Sequence, residues 1–136
     1  SSVTFIGDHT FSTCKNLVDI SISSSLTTIE DYTFANCISL QKISIPSSVT
    51  VIGKFVFSGC ISLMDVSLPS SLNSINQCAF YGCSTLQKIK IPPSVTFLGP
   101  SVFSSCKSLI ELMIPIHMKV KSIGCQSSTN IIRYWI

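Results

Sequence analysis

The stretch Ile45-Pro46-Ser47-Ser48-Val49-Thr50-Val51-Ile52-Gly53-Lys54-Phe55-Val56-Phe57-Ser58-Gly59-Cys60-Ile61-Ser62-Leu63 decides how this chain folds. Laid over the rest of the sequence, it returns at a step of 23 residues. Phe57 has counterparts at Phe11, Phe34, Phe80 and Phe103, and Cys60 at Cys14, Cys37, Cys83 and Cys106. Leu63 matches Leu17, Leu40, Leu86 and Leu109. Val49 matches Val3, Leu26, Leu72 and Val95, and Ile52 matches Ile6, Ile29, Ile75 and Leu98. Pro46 recurs as Pro69, Pro92 and Pro115, with Ser23 in the first slot. Nothing is inserted across five units.

Each unit also carries Leu-x-x-Ile-x-Ile or a close variant, as at Leu40, Ile43 and Ile45. Alternating β-branched residues read as a short strand. The proline that follows has no amide to donate and is expected to end it. A Ser-rich turn comes next. Gly-x-x-x-Phe-x-x-Cys then sets two apolar residues three apart, the spacing of one turn of α or 3₁₀ helix. Gly59, Gly82 or Asn36, just before the Cys, marks a bend back to the next strand.

One unit cannot bury its own apolar face, whereas stacked units bury a continuous core. Strands repeating in one direction pair in parallel, about 4.8 Å apart. The expected fold is an α/β solenoid. It is a right-handed coil with a narrow parallel β-sheet on one face and short helical or irregular segments on the other. Residues 1–115 form five units of 23 residues, and 116–136 a degenerate C-terminal segment. There Val120-Lys121-Ser122-Ile123-Gly124 keeps the phase only if two residues are inserted after Pro115. Asn130 to Ile136 matches no part of the unit; it reads as a cap over the last coil, or else as the start of an anchor. The chain opens at Ser1, part-way through a unit and without a charged-then-apolar leader, which reads as an excerpt of a longer protein.

Composition narrows the function. Of the 136 residues 46% are hydrophobic and 11% charged, with a mean hydropathy of +0.52, which excludes a disordered chain. No apolar run reaches the length of a membrane-spanning helix. The net charge of +3 is too small to point to nucleic acid. Residues 1–68 carry a net −2 and residues 69–136 a net +5. The basic half suits a sulfated glycan or an anionic protein, or is an ordinary solvated surface.

The unit resembles the leucine-rich repeat, and Ile45 to Leu63 resembles its BspA-like subclass, found in surface antigens of trichomonads and some bacteria. The resemblance implies a cell-surface or extracellular, non-enzymatic protein that adheres to host or neighbouring-cell proteins. It brings no catalytic residue, metal or cofactor. An intracellular scaffold and a ligand-free structural stalk are the alternative readings. The Asn that bonds backbone between coils in many leucine-rich repeats is matched here by Ser25, Ser48, Ser71 and Ser94, whose hydroxyls are expected to do part of that work.

Such repeats bind through the sheet face, whose outward side chains follow from phase. One row is Asp19, Lys42, Asp65, Lys88 and Glu111; a second is Ser21, Ser44, Ser67, Lys90 and Met113. Val18, Gln41, Met64, Gln87 and Ile110 flank them. The candidate protein-binding residues are therefore Asp19, Lys42, Asp65, Lys88, Lys90, Glu111, Met64 and Met113. The first row alternates in sign, so it is either a self-neutralising ladder or a charged face for an incoming protein.

The five repeat cysteines are expected to point inward as small apolar groups, leaving Cys78 and Cys125 as the exposed thiols. Cys78-x4-Cys83 lacks a second pair for zinc. His9 falls in phase with Tyr32, Phe55, Cys78 and Ser101, and His117 in a Ser turn, so no Cys–His pair is expected to meet. No phosphate loop or nucleophile elbow is present.

Overall fold

Neighbouring coils meet through backbone hydrogen bonds in two parallel sheets and along the turns around each Phe. In the computed structural model, residues 5–119 and 122–135 are described; Val3, Val120 and Lys121 lie outside them. The elements are β1 (Thr28–Ile29), β2 (Lys42–Ser44), β3 (Val51–Ile52), β4 (Asp65–Ser67), β5 (Ser74–Ile75), β6 (Lys88–Lys90), β7 (Phe97–Leu98), β8 (Glu111–Pro115) and β9 (Asn130–Tyr134). All pairings are parallel, as repetition in one direction requires.

The expected sheet is present, but in two pieces: β2 pairs with β4, and β6 pairs with β8, which pairs in turn with β9. A second sheet, β1-β3-β5-β7, was not expected and is the more continuous one. Its strands are two residues long, such as Val51–Ile52. Their signal in the sequence is the apolar residue closing each pair, Ile29, Ile52, Ile75 and Leu98.

The expected helical segments are corrected: among the described residues there is no helix. Two positions flanking each Phe adopt the left-handed backbone region. Tyr32, Phe55, Cys78 and Ser101 have φ of 61°, 57°, 56° and 57° two residues before it. Asn36, Gly59, Gly82 and Ser105 have φ of 59°, 74°, 72° and 60° two residues after it. A right-handed helix cannot run through such positions. The amides instead bond the next coil. Tyr32, Phe34 and Asn36 N–H donate to the carbonyls of Lys54, Val56 and Ser58 at 2.9, 3.0 and 2.7 Å. These cross-coil bonds offset a left-handed cost of roughly 1–2 kcal/mol per non-glycine residue. The bend expected at Asn36, Gly59 and Gly82 is thus real, and is half of a double turn.

Ladders of identical side chains fill the interior. Phe11, Phe34, Phe57, Phe80 and Phe103 stack with ring centroids 5.5, 5.6, 5.3 and 5.9 Å apart. Leu40, Leu63, Leu86 and Leu109 are buried beside them, as are Cys37, Cys60, Cys83 and Cys106. Each of these thiols also donates to the Phe carbonyl one coil earlier, from Cys37 to Phe11, Cys60 to Phe34, Cys83 to Phe57 and Cys106 to Phe80, at 3.0–3.2 Å. The ladder cysteines therefore do more than fill space.

The prolines behave unevenly. Pro46, Pro69 and Pro92 follow their strands, and their carbonyls accept the turn-closing amides of Val49, Leu72 and Val95. Pro115 instead is the last residue of β8, in register with Tyr134, and its carbonyl likewise accepts the Met118 amide. The Ser row does the expected bonding unevenly. Ser71 Oγ donates to the Val49 carbonyl at 2.8 Å, but the hydroxyls of Ser48 and Ser94 are buried without a partner. Another row also bonds backbone between coils, where Ser39, Ser62 and Thr85 donate to the carbonyls of Lys15, Ile38 and Ile61.

Asn130–Tyr134, which matches no part of the unit, pairs along its whole length with β8, Asn130 against Glu111 and Tyr134 against Pro115. The chain reaches that position four residues early, and the shortened coil is tied down by side chains. Thr129 Oγ1 donates to the Leu109 carbonyl, Tyr134 hydroxyl to that of Ile91, and Arg133 Nη1 to that of Met118.

Candidate functional site

The outward rows of the first sheet are where phase puts them. Asp19, Lys42, Asp65 and Lys88 are exposed, as are Ser21, Ser44, Ser67 and Lys90. Glu111 and Met113 are only half-buried by comparison, because β9 lies against them through Asn130 and Ile132. Met64 is 56% exposed, a large apolar side chain with no cover at the flank of the face. Register sets Lys42 beside Asp65 and Lys88 beside Glu111. Among the described residues, none of these four closes into an ion pair.

Lys90 is placed differently from its row. Its ammonium lies 4.8 Å from the ring centroid of Tyr134, a cation–π contact that ties it to the C-terminal strand. Partial burial pushes the Tyr134 phenol above its ordinary pKa. Phase alone could not show this contact, because Tyr134 has no counterpart in the unit.

Two shallow grooves run along the face. The first, about 450 Å³, is lined by Asp19, Lys42, Asp65, Ser21, Ser44 and Ser67 among others. The second, about 340 Å³, opens where β4 and β6 fail to pair, between Ser67 and Lys90, with Pro92 and Pro93 at its edge. Ile45 N–H donates to Ser67 and Ile91 N–H to Met113, but no corresponding bond joins Leu68 to Lys90 among the described residues. Val66 and Leu68 are half-buried at this break, whereas Ile43, Ile45, Ile89 and Ile91 are buried. Val66 is a methylene shorter than the isoleucines above and below it, Ile43 and Ile89.

The remaining candidates form no chemical centre. Cys78, expected to be exposed, is buried, with only 7% of its surface exposed. Its left-handed backbone belongs to the same double turn as Tyr32 and Phe55, where sequence phase gave no guide to depth. Cys125 is half-buried, and Cys14 is the other half-buried thiol. All seven cysteines are free. Burial pushes the thiols of Cys60 and Cys106 up to about 12 and that of Cys83 well above the ordinary value, so none is an activated nucleophile. His9 stacks on Tyr32 at 4.6 Å and Tyr32 on Phe55 at 4.9 Å, so this stripe packs coil to coil. His117 is exposed in the turn after β8. Among the described residues no group of three or more His, Cys, Asp or Glu is placed to hold a metal. No helix there is long and apolar enough to cross a membrane.

A family profile described as "BspA type Leucine rich repeat region" matches residues 1–110, in six copies. Three solved structures are similar. A leucine rich cell surface protein from Faecalibacterium prausnitzii is 38% identical, with a TM-score of 0.75 over 79% of this chain and 28% of its own. A leucine rich repeat protein from T. pallidum is 30% identical, with a TM-score of 0.69 over 85% of this chain and 51% of its own. The pneumococcal vaccine antigen PcpA is 25% identical, with a TM-score of 0.78 over 90% of this chain and 32% of its own. The chain thus spans between about a quarter and a half of the length of these relatives. No curated protein matches it.

Proposed function

From the premise that this chain belongs to the BspA-type leucine-rich repeat family, we propose that it is a non-enzymatic protein-binding module of a cell-surface adhesin. The carrying observation is the exposed face of the first sheet. There four exposed charges, Asp19, Lys42, Asp65 and Lys88, and the half-buried Glu111 share one row, with Lys42 and Asp65, and Lys88 and Glu111, held in register by paired strands. Rigid presentation lowers the entropy cost of docking, so a modest area can still bind specifically. The alternating charges set register and exclude partners of uniform sign. Met64 supplies apolar contact at the flank, and Met113 a lesser amount beside β9.

Surface location is part of the proposal. It draws on two relatives, one titled a cell surface protein and one a vaccine antigen.

The test is binding of the labelled chain to intact host or neighbouring cells, with the double variant Lys88→Glu/Lys90→Glu. A clear loss of binding at unchanged thermal stability supports the sheet face. Unchanged binding removes that face from the proposal, and no binding by either form favours a stalk. Competition by heparin at low ionic strength would point to a sulfated glycan in place of a protein.

A further inference from the structure

The groove on the first three coils has a spacing that selects one backbone conformation in a partner. Its acids, Asp19 and Asp65, stand two rungs apart, with Lys42 on the rung between. Rungs of a parallel sheet are about 4.8 Å apart, which puts the two carboxylates about 9.6 Å apart along the solenoid axis. A polyproline-II segment rises about 3.1 Å per residue with three residues per turn, so residues i and i+3 share a face about 9.3 Å apart. The two repeats agree to within a few tenths of an ångström. A β-strand brings side chains back to one face every two residues, at about 6.8 Å, and falls out of step. An α-helix is about 10 Å across with its side chains, broad for so shallow a groove.

We propose that this groove takes a polyproline-II segment of a partner protein carrying two basic residues three positions apart, which sit on Asp19 and Asp65. The inference rests on the sheet-face reading above and names the chemistry of its ligand. Two further features fit this occupant. A polyproline-II backbone has no internal hydrogen bonds, and the groove offers it the exposed hydroxyls of Ser21 and Ser67, two rungs apart like the two acids. The charges are also available: Lys42 lies beside Asp65 in register, yet neither is closed into an ion pair among the described residues. Lys42, midway between the acids, repels a third cation and so discriminates against a uniformly basic stretch. Beyond Asp65 the unpaired junction of β4 with β6 interrupts the rung spacing, which limits the bound segment to about two turns.

The experiment uses the full 136-residue chain and fluorescein-labelled seven-residue proline-rich peptides, read by anisotropy at low ionic strength. One peptide has lysines at positions two and five, an isomer has them at positions two and four, and a third carries glutamates at two and five. The i,i+3 peptide is expected to bind at least several-fold more tightly than its isomer, and the glutamate peptide not at all. Asp19→Asn and Asp65→Asn should each weaken it about two- to fivefold, the range of one exposed ion pair, and 0.5 M salt should abolish the difference. Equal affinity of the two lysine isomers, indifference to Asp65→Asn, or no binding at millimolar peptide would overturn the inference. Should Lys88→Glu/Lys90→Glu still reduce binding to cells in that case, the sheet-face reading stands and only the ligand assignment falls.

Discussion

The thiol of Cys60 donates a 3.1 Å hydrogen bond to the carbonyl of Phe34, one coil earlier, and both residues are fully enclosed. The same carbonyl accepts the Cys37 amide at 3.2 Å. The sulfur thus satisfies the second lone pair of a buried acceptor while its bulk fills the core. Cys60→Ala removes both contributions and is expected to cost about 1–3 kcal/mol, within the usual range for a buried polar partner lost together with a small void. Cys60→Ser keeps a donor and should cost less. Urea denaturation of the two variants checks the order; a serine variant less stable than the alanine one would refute the hydrogen-bond role.

Burial of the ladder thiols makes stability fall at alkaline pH. Burial holds Cys60 and Cys106 at about 12 in the folded chain, against 9.0 for an ordinary thiol. Above pH 9 the unfolded chain therefore loses protons that the folded chain keeps. Stability contributed by these groups is fully present below pH 9 and is lost as pH rises toward 12. The urea midpoint should fall progressively between pH 9 and 11, and should fall less in Cys60→Ala than in the parent.

Accessibility divides the same residues. At pH 8 a thiol titrating near 12 is ionised at only roughly one part in ten thousand, and thiolate is the reactive form. Native chain treated with a disulfide reagent should label at half-buried Cys14 and Cys125 first. Cys60, Cys83 and Cys106 should label only on unfolding. Rapid labelling of Cys83 in the native state would contradict its burial in the core.

Two glycines carry different constraints, and alanine separates them. A Cβ at Gly99 would lie 2.4 Å from the Gln77 amide nitrogen, so Gly99→Ala must force neighbouring coils apart at a cost of about 2–4 kcal/mol. At Gly82 the nearest atom to such a Cβ is 3.7 Å away, but φ is +72°. Gly82→Ala should cost only the left-handed penalty, about 1 kcal/mol. Thermal denaturation should rank Gly99→Ala well below Gly82→Ala.

The C-terminal strand is held by Tyr134, whose hydroxyl donates to the Ile91 carbonyl and whose ring receives Lys90. Tyr134→Phe keeps the ring and is expected to cost about 1 kcal/mol. Tyr134→Ala should in addition free Lys90 and speed amide hydrogen exchange across 130–134 while leaving β2 and β4 protected. Uniform exchange across the chain would show that the last coil does not open on its own.

Much of this was legible from spacing. The step of 23 residues put Phe34 over Phe57, Cys37 over Cys60 and Lys42 beside Asp65 without any coordinates, because a coil of fixed length returns each residue to the same angular position. It also placed Asp19, Asp65 and Lys88 on the outside. Depth on the turn side was harder to read, and Cys78 was placed wrongly there. The helix expected around Phe57 is absent for a related reason. Two apolar residues three apart fit one helical turn, but they fit equally well a double turn whose amides look outward to the next coil.

The amino-acid order alone therefore settled which residues share a ladder, since covalent spacing fixes phase. Tertiary structure decided where each backbone amide finds its acceptor: within its own segment or across to a neighbouring coil. From that choice came the second sheet, the split between β4 and β6, and the docking of Asn130–Tyr134 onto β8. The physical reason is that a buried amide must be paired, and its partner here lies about 22 residues away, beyond the reach of any local pattern.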